Sequence, residues 1–373
     1  VAGPAKAVQS RSIVLWAFFD VRVAVVLNGS RRTRQRSPHW VVLPDDELLQ
    51  LRFKDLDIRL EGTWLEDCLS GLHRQLDARN LRVRPHAWIS EEWFSPDNTP
   101  GISLPFYLAH PRLSKLEKRM VRDVEGGTRR ECMQILRHEA GHVVQHAYGL
   151  HRRRKWQQIF GRSSTPYPDH YRPDPKSRNY VQHLRRWYAQ CHPDEDFAET
   201  FAVWLTPRSQ WRRRYADWPA LEKLEYVDEL MSEIAGEKPV LNHRLEVDPI
   251  RKLTTTLDEH YKKKCETYAV DAPMILDRDL RDIFSDDPRH RTAPAASAFI
   301  RRHRNDAIRL AARRTGEYEL TLAAAVDDMI DRCRQLNLRA KGSETRLRSA
   351  LTSLLASSTV HSLYSSRRRW FAV

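Results

Sequence analysis

The stretch from about Thr128 to Tyr148 constrains this chain most. Apolar Ile135, Leu136, Val143 and Val144 recur at helical spacing around His138-Glu139-Ala140-Gly141-His142. That helix has to sit in a core while carrying two imidazoles and a carboxylate with it. Residues four apart share a helix face, so His138 and His142 can aim one ring nitrogen each at a common point. Glu139 stands beside that point. Two His ligands on one helical face with a neighbouring Glu base are what hydrolytic zinc chemistry uses.

Zinc that acts on a substrate needs a third protein ligand and one open position. The extended three-His pattern asks for His six residues after His142, and Tyr148 occupies that place. His146 continues the stripe, but three consecutive turns of one helix cannot all ligate one tetrahedral ion, so His146 reads as structural or supporting. A downstream carboxylate is the other solution. Pro193 suits a first helical turn, Pro207 ends the helix soon after Leu205, and Glu195 and Glu199 stand one turn apart between them. Phe197, Phe201 and Trp204 line the other side. Spacing alone does not separate Glu195 from Glu199. Asp194 and Asp196 read as solvated acids favouring the helix dipole.

His138-Glu139-x-x-His142, followed by Glu195-Asp196-Phe197-Ala198-Glu199-Thr200-Phe201-Ala202, resembles the zinc-binding metallopeptidases of bacteria. Their active-site pattern is similar to that of the anthrax lethal factor group of gluzincins. The resemblance implies Zn²⁺ held by His138, His142 and Glu195, with Glu199 buttressing a ligand and Glu139 as general base. A Tyr seven residues before the ligand Glu belongs to the same pattern, and Tyr188 holds that place. It would donate to the developing oxyanion; the alternative is an aromatic in an apolar helix beside Trp187. The stretch Pro100 to Leu108 and the loop from Tyr167-Pro168 to Tyr180 also resemble the bacterial family. Residues 43–285 carry the likeness. Some relatives bear an amino-terminal zinc ribbon, and this chain has none.

Around these motifs the pattern predicts helices over Asp45–Asn80, with strands at Leu81–Ile89 and Ile102–Leu108. Helical spacing returns over Leu113–Val124, about Tyr180–Cys191, Pro193–Leu205 and Leu221–Ala235. Residues 161–178 hold four prolines and read as an irregular loop, long enough for a lid or a specificity wall. The Ile102–Leu108 strand borders the cleft, where an extended substrate could add to it, or is an ordinary sheet strand, and both can hold together. Beyond Pro249 the pattern is helical, broken at Asp286-Asp287-Pro288 and near Ala293-Pro294. The expected class is α+β: a zincin-like metallopeptidase domain over 43–285, a basic extension over 1–42 with ordered structure from near Leu43, and a basic helical extension over 286–373.

Net charge is +14, distributed as +6 over residues 1–42, +1 over 43–240 and +7 over 241–373. A nucleic-acid reading therefore rests on the ends, on Arg301-Arg302, Arg304, Arg313-Arg314 and Arg367-Arg368-Arg369. Apart from Trp370 and Phe371 these lack interleaved aromatics, and a solvated helix face is the simpler account. The competing function is thus a basic nucleic-acid-associated protein whose zincin scaffold binds zinc without turnover. The expected partner is instead a peptide or protein substrate. No uncharged run is long enough for a membrane span, since Asp20 and Arg22 interrupt Ser12–Leu27; the same charges argue against a signal peptide. Five scattered cysteines without a Cys-x-x-Cys pair exclude a zinc ribbon. They fit buried small hydrophobes in a cytoplasmic protein.

Overall fold

Leucines at helical spacing set the frame. In the computed structural model, which describes residues 38–121, 123–168, 170–269, 277–364 and 371–372, the first long helix is Trp64–Asp77. It buries Leu65, Cys68, Leu72 and Leu76 along one face. The chain joins this core earlier than Leu43: Trp40 is fully buried and donates its indole N–H to the Leu56 carbonyl at 2.8 Å.

Two short strands follow, β1 (His86–Ser90) and β2 (Gly101–Pro105). They pair in parallel from His86 opposite Gly101 to Ser90 opposite Pro105. A Cβ at Gly101 would lie 2.4 Å from the His86 ring, so only glycine lets the strands meet there. On its other side β2 bridges Phe94, and all five of its residues are buried. β2 is therefore an interior strand. The expected strand over Ile102–Leu108 stops at Pro105 and turns into a short 3-10 segment, Phe106–Leu108. The lip of the cleft is formed by residues 91–95 instead.

The motif helix, Arg129–Ala147, begins with an N-cap threonine: the Thr128 hydroxyl accepts from the Glu131 N–H at 3.2 Å and donates to its carboxylate at 3.1 Å. It packs against the first helix and β2, and on another face against Pro193–Leu205. Ala220–Glu233 backs the latter helix in turn.

After the Leu257–Ala269 helix come Asp277–Ile283, Ala296–Thr315, Glu319–Gln335 and Glu344–Tyr364. They enclose a second apolar cluster that includes Leu280, Phe284, Ile300, Leu322, Val326 and Leu351. Arg304 reaches across to Asp327 on the neighbouring helix, while Arg301, Arg302, Arg313 and Arg314 are exposed. Residues 1–37, with the expected Ser12–Leu27 apolar stretch, lie outside the described residues, as do Arg367 to Trp370. Phe371–Ala372 pairs antiparallel with His170–Tyr171. The protein is α+β, mostly helical around a two-stranded parallel sheet. Among the described residues no helix is long and apolar enough to cross a membrane. Cys68, Cys132, Cys191 and Cys333 are buried thiols and Cys265 is half-buried.

One helical expectation fails. Residues 180–184 are extended or bent, and only Arg185–Gln190 coils, with Arg186 and Trp187 in left-handed backbone. The Leu184 N–H, which a helix would use internally, donates to the Glu199 carboxylate at 2.8 Å.

Candidate metal centre

Small residues bring the two motif helices together. A Cβ built on Gly141 would lie 2.7 Å from the Ala198 Cα, so Gly141 and Ala198 mark a crossing closer than larger side chains permit. Glu195 and Glu199 flank Ala198 and therefore meet the imidazoles of His138 and His142 across that crossing.

Three donor atoms converge. His138 Nε2 lies 3.0 Å from Glu195 Oε2, His142 Nε2 lies 3.3 Å from the same oxygen, and the two imidazole nitrogens are 3.2 Å apart. Zinc bonds of about 2.0–2.1 Å at tetrahedral angles separate ligands by roughly 3.3–3.4 Å. The observed triangle has nearly that size, and among the described residues these three form the one cluster able to hold a metal. The donor set, two imidazoles and a carboxylate, suits zinc.

The outer contacts orient this triangle. The Nδ1–H of His138 donates to Glu199 Oε1 at 2.9 Å, which leaves the Nε2 lone pair facing inward. Glu199 is fully buried, its other oxygen held by the Leu184 N–H. His192 caps the glutamate helix by accepting from the Asp194 N–H at 3.1 Å, while its Nε2 contacts the Thr165 carbonyl at 2.7 Å. Tyr167 stacks on His192 with ring centroids 3.8 Å apart and donates its hydroxyl to Glu195 Oε1 at 2.9 Å. His146 pairs with Asp97 at 3.1 Å, away from the triangle.

Electrostatics follow the geometry. Burial alone would lower the His138 imidazole, but hydrogen bonds and charge from Glu195 and Glu199 outweigh it and raise it well above its usual value. His142 is likewise raised against burial by Glu195. Glu195 is held far below the usual carboxylate range: burial opposes this, and the charge of His142 and the hydrogen bond from His138 prevail. Burial, then the Glu195 charge, pushes the Tyr188 phenol well up and keeps it protonated as a donor.

Each residue singled out by sequence has a place here. His138, Glu139, Glu195 and Glu199 are buried, and His142 and Tyr188 are half-buried. The Tyr188 ring centroid lies 5.8 Å from that of His138. Glu139 has one carboxylate oxygen, Oε2, buried without a hydrogen-bond partner, beside a cleft of about 890 Å³ whose walls include Trp93, Glu125, Tyr167, Tyr188, His260 and Tyr318. Asp194 and Asp196 are not solvated. Asp194 accepts from Gln145 at 2.8 Å and from Ser163 at 2.9 Å, and Asp196 pairs with Lys223 at 2.6 Å. The helix is buried on every side, so its acids found partners instead of water. Sequence reasoning missed the contact of Tyr167 with Glu195 and the bracing of Glu199 by Leu184. The aromatic loop 161–178 was the available signal for the first; nothing local announces the second.

No curated protein and no solved structure gives a significant match to this chain. Residues 114–214 match the model of a family described as "Putative zinc-binding metallo-peptidase". That span contains the motif helix, the Tyr167 loop and the glutamate helix, so the likeness to this family covers the segment that holds the metal centre.

Proposed function

We propose that the protein is a zinc-dependent metallopeptidase of the gluzincin type, built on a zincin-like domain over residues 43–285 with a helical extension over 286–373. The observation that carries this reading is the 3.0–3.3 Å triangle of His138, His142 and Glu195 beside a carboxylate oxygen of Glu139 that has no partner. A cytoplasmic location and a peptide or protein substrate are part of the same reading.

Zinc bound by these three residues would acidify a water and polarise the scissile carbonyl. With zinc bound, Glu139 would take the water's proton through Oε2, which has no hydrogen-bond partner, and pass it to the departing amine. Tyr188, kept neutral by its surroundings, donates to the oxygen where negative charge develops, a contact that strengthens only in the transition state. Glu199 keeps His138 in the tautomer that presents Nε2. Tyr167 holds Oε1 of Glu195, so that Oε2 would be the oxygen to hold the cation. The cleft wall at residues 91–95 and the 161–178 loop would border the peptide.

The test is hydrolysis of a fluorogenic combinatorial peptide library by zinc-loaded protein, with Glu139→Gln alongside. Glu139-dependent cleavage supports the reading. Cleavage that survives Glu139→Gln, or none from a zinc-replete wild type, overturns it. A protein acting only as a basic nucleic-acid binder would be indifferent to Glu139→Gln and lose affinity steeply with salt.

A further inference from the structure

Arg186 and Trp187 adopt φ 60°, ψ 21° and φ 54°, ψ 45°. Two successive bulky residues in left-handed backbone are disfavoured for L-amino acids and persist only where their surroundings impose them. Glycine, the usual solution, is absent here. The local sequence prefers a helix, so the constraint comes from elsewhere in the chain. The step immediately precedes Tyr188.

One anchor of this step comes from the helical extension. The turn after Gly316, between the Ala296–Thr315 and Glu319–Gln335 helices, presents Glu317, which is 4% exposed. Arg186 Nη2 donates to Glu317 Oε1 at 2.6 Å, its Nε donates to the same oxygen at 3.2 Å, and Nη2 also reaches Thr321 Oγ1 at 3.3 Å. The Tyr318 ring lies under the Arg186 guanidinium at 4.4 Å and near that of Arg185 at 5.4 Å. The Tyr171 hydroxyl donates to the Arg186 carbonyl at 3.0 Å. Glu317 is fixed in turn, accepting from the Tyr318 N–H at 2.8 Å. Residue 317 lies outside the matched segment 114–214. None of these contacts touches His138, His142 or Glu195.

We infer that Glu317 is a positioning residue: through Arg186 it holds the left-handed step that presents Tyr188 to the metal centre, so the helical extension completes the catalytic cleft. The inference rests on the peptidase reading for the role of Tyr188. Removing the Glu317 carboxylate takes away the charge and hydrogen bonds that it gives the Arg186 guanidinium and loosens residues 185–188 towards the helix that their sequence favours. The zinc ligands, braced by Glu199 and Tyr167, stay in place.

The experiment compares Glu317→Ala, Glu317→Gln and Glu317→Asp in the full chain, each alone and with Tyr188→Phe. Zinc content should match wild type. Hydrogen exchange of the peptide over 182–192 should quicken in the Ala and Gln variants, in zinc-loaded and metal-free protein alike, and return towards wild type with Asp. Tyr188→Phe should lower kcat on the order of 10²–10³-fold. Glu317→Ala should lower kcat by roughly tenfold or more at unchanged KM, and should have no further effect in the Tyr188→Phe background. Unchanged exchange over 182–192, or an equal loss of kcat with and without Tyr188, would overturn the inference. An inactive wild type would sink the peptidase reading instead, and exchange alone would then decide whether Glu317 holds the step. If the Ala variant does not fold, the Gln variant carries the same test.

Discussion

The metal-centre helices and the helical extension bury side chains of opposite character. Between Arg129–Ala147 and Pro193–Leu205 the interior holds His138, Glu139, Gln145, Asp194, Glu195, Asp196, Glu199 and Thr200. In the extension it is chiefly aliphatic, with Ile300, Ala307, Leu322, Ala325, Val326, Met329 and Leu351. Apolar burial needs only fit, whereas a buried polar group must find a partner or destabilise the fold. Around the centre several such groups have found one: Asp194 with Gln145 and Ser163, Asp196 with Lys223, Glu199 with His138 and the Leu184 N–H. Thr200 Oγ1 and Glu139 Oε2 have no partner, and the inward-facing atoms of His138, His142 and Glu195 face one another. A fold that only needed stability would fill that space with leucines, so the triangle marks where the chain can hold a metal ion.

The contrast can be broken from either side. Glu139→Gln should lower turnover on the order of 10²–10⁴-fold while leaving the melting temperature and zinc content near wild type; a matching loss of stability would make Glu139 a packing residue. Leu351→Ala, in the core of the extension, should do the reverse. Truncating a fully buried leucine costs about 2–5 kcal/mol in unfolding free energy, read by urea titration, with zinc stoichiometry unchanged. Zinc loss at equal strength would mean that the two regions are not separable in this way.

Acidity sharpens the comparison, because the shifted imidazoles and carboxylate of the metal centre are shielded from water, whereas the shifted carboxylates of the extension, such as Asp277 and Asp306, are open to it and screened by it. In metal-free protein the raised His138 and His142 contribute stability that is full below their ordinary value of 6.5 and lost as pH rises through the elevated folded values. The depressed Glu195 contributes stability that is present above its ordinary 4.5 and lost as pH falls through its folded value. The apo site is therefore best held together between those limits, with a proton where zinc would sit. Zinc must displace that proton, so its affinity should rise with pH by up to about tenfold per unit, read by competition with a chelator between pH 5.5 and 8. A flat profile would remove His138 and His142 from the ligand set. A smaller effect closes the series: the exposed pair Arg334–Asp331 should contribute about 0.5 kcal/mol or less, measured by a double-mutant cycle.

Sequence made the two motif helices legible because their signals are local. The capping Thr128, the His138–His142 spacing, Pro193 and Pro207 all act within a few residues of what they determine. The observed Pro193–Leu205 helix has the predicted ends. The failures share a cause of opposite kind. Tyr180–Cys191 has helical periodicity, but Glu199 takes the Leu184 N–H from 15 residues away and Glu317 takes the Arg186 guanidinium from 131 residues away. Asp194 and Asp196 read as solvated because their partners, Gln145, Ser163 and Lys223, are distant in sequence. β2 was open to being a cleft border until Phe94 closed its free side. Local rules brought out the two motif helices and the His138–His142 face, the resemblance chose Glu195 over Glu199, and long-range pairing decided what surrounds them.

The most direct measurement is zinc stoichiometry by elemental analysis on purified wild type, Glu195→Ala and Glu199→Ala after dialysis against a weak chelator. The geometry predicts close to one zinc per wild-type chain. It predicts near-complete loss in Glu195→Ala, and in Glu199→Ala zinc retained with affinity weakened on the order of 10–100-fold, as for a residue that only orients His138. Little zinc in folded wild type, or loss in Glu199→Ala with full retention in Glu195→Ala, would contradict the account.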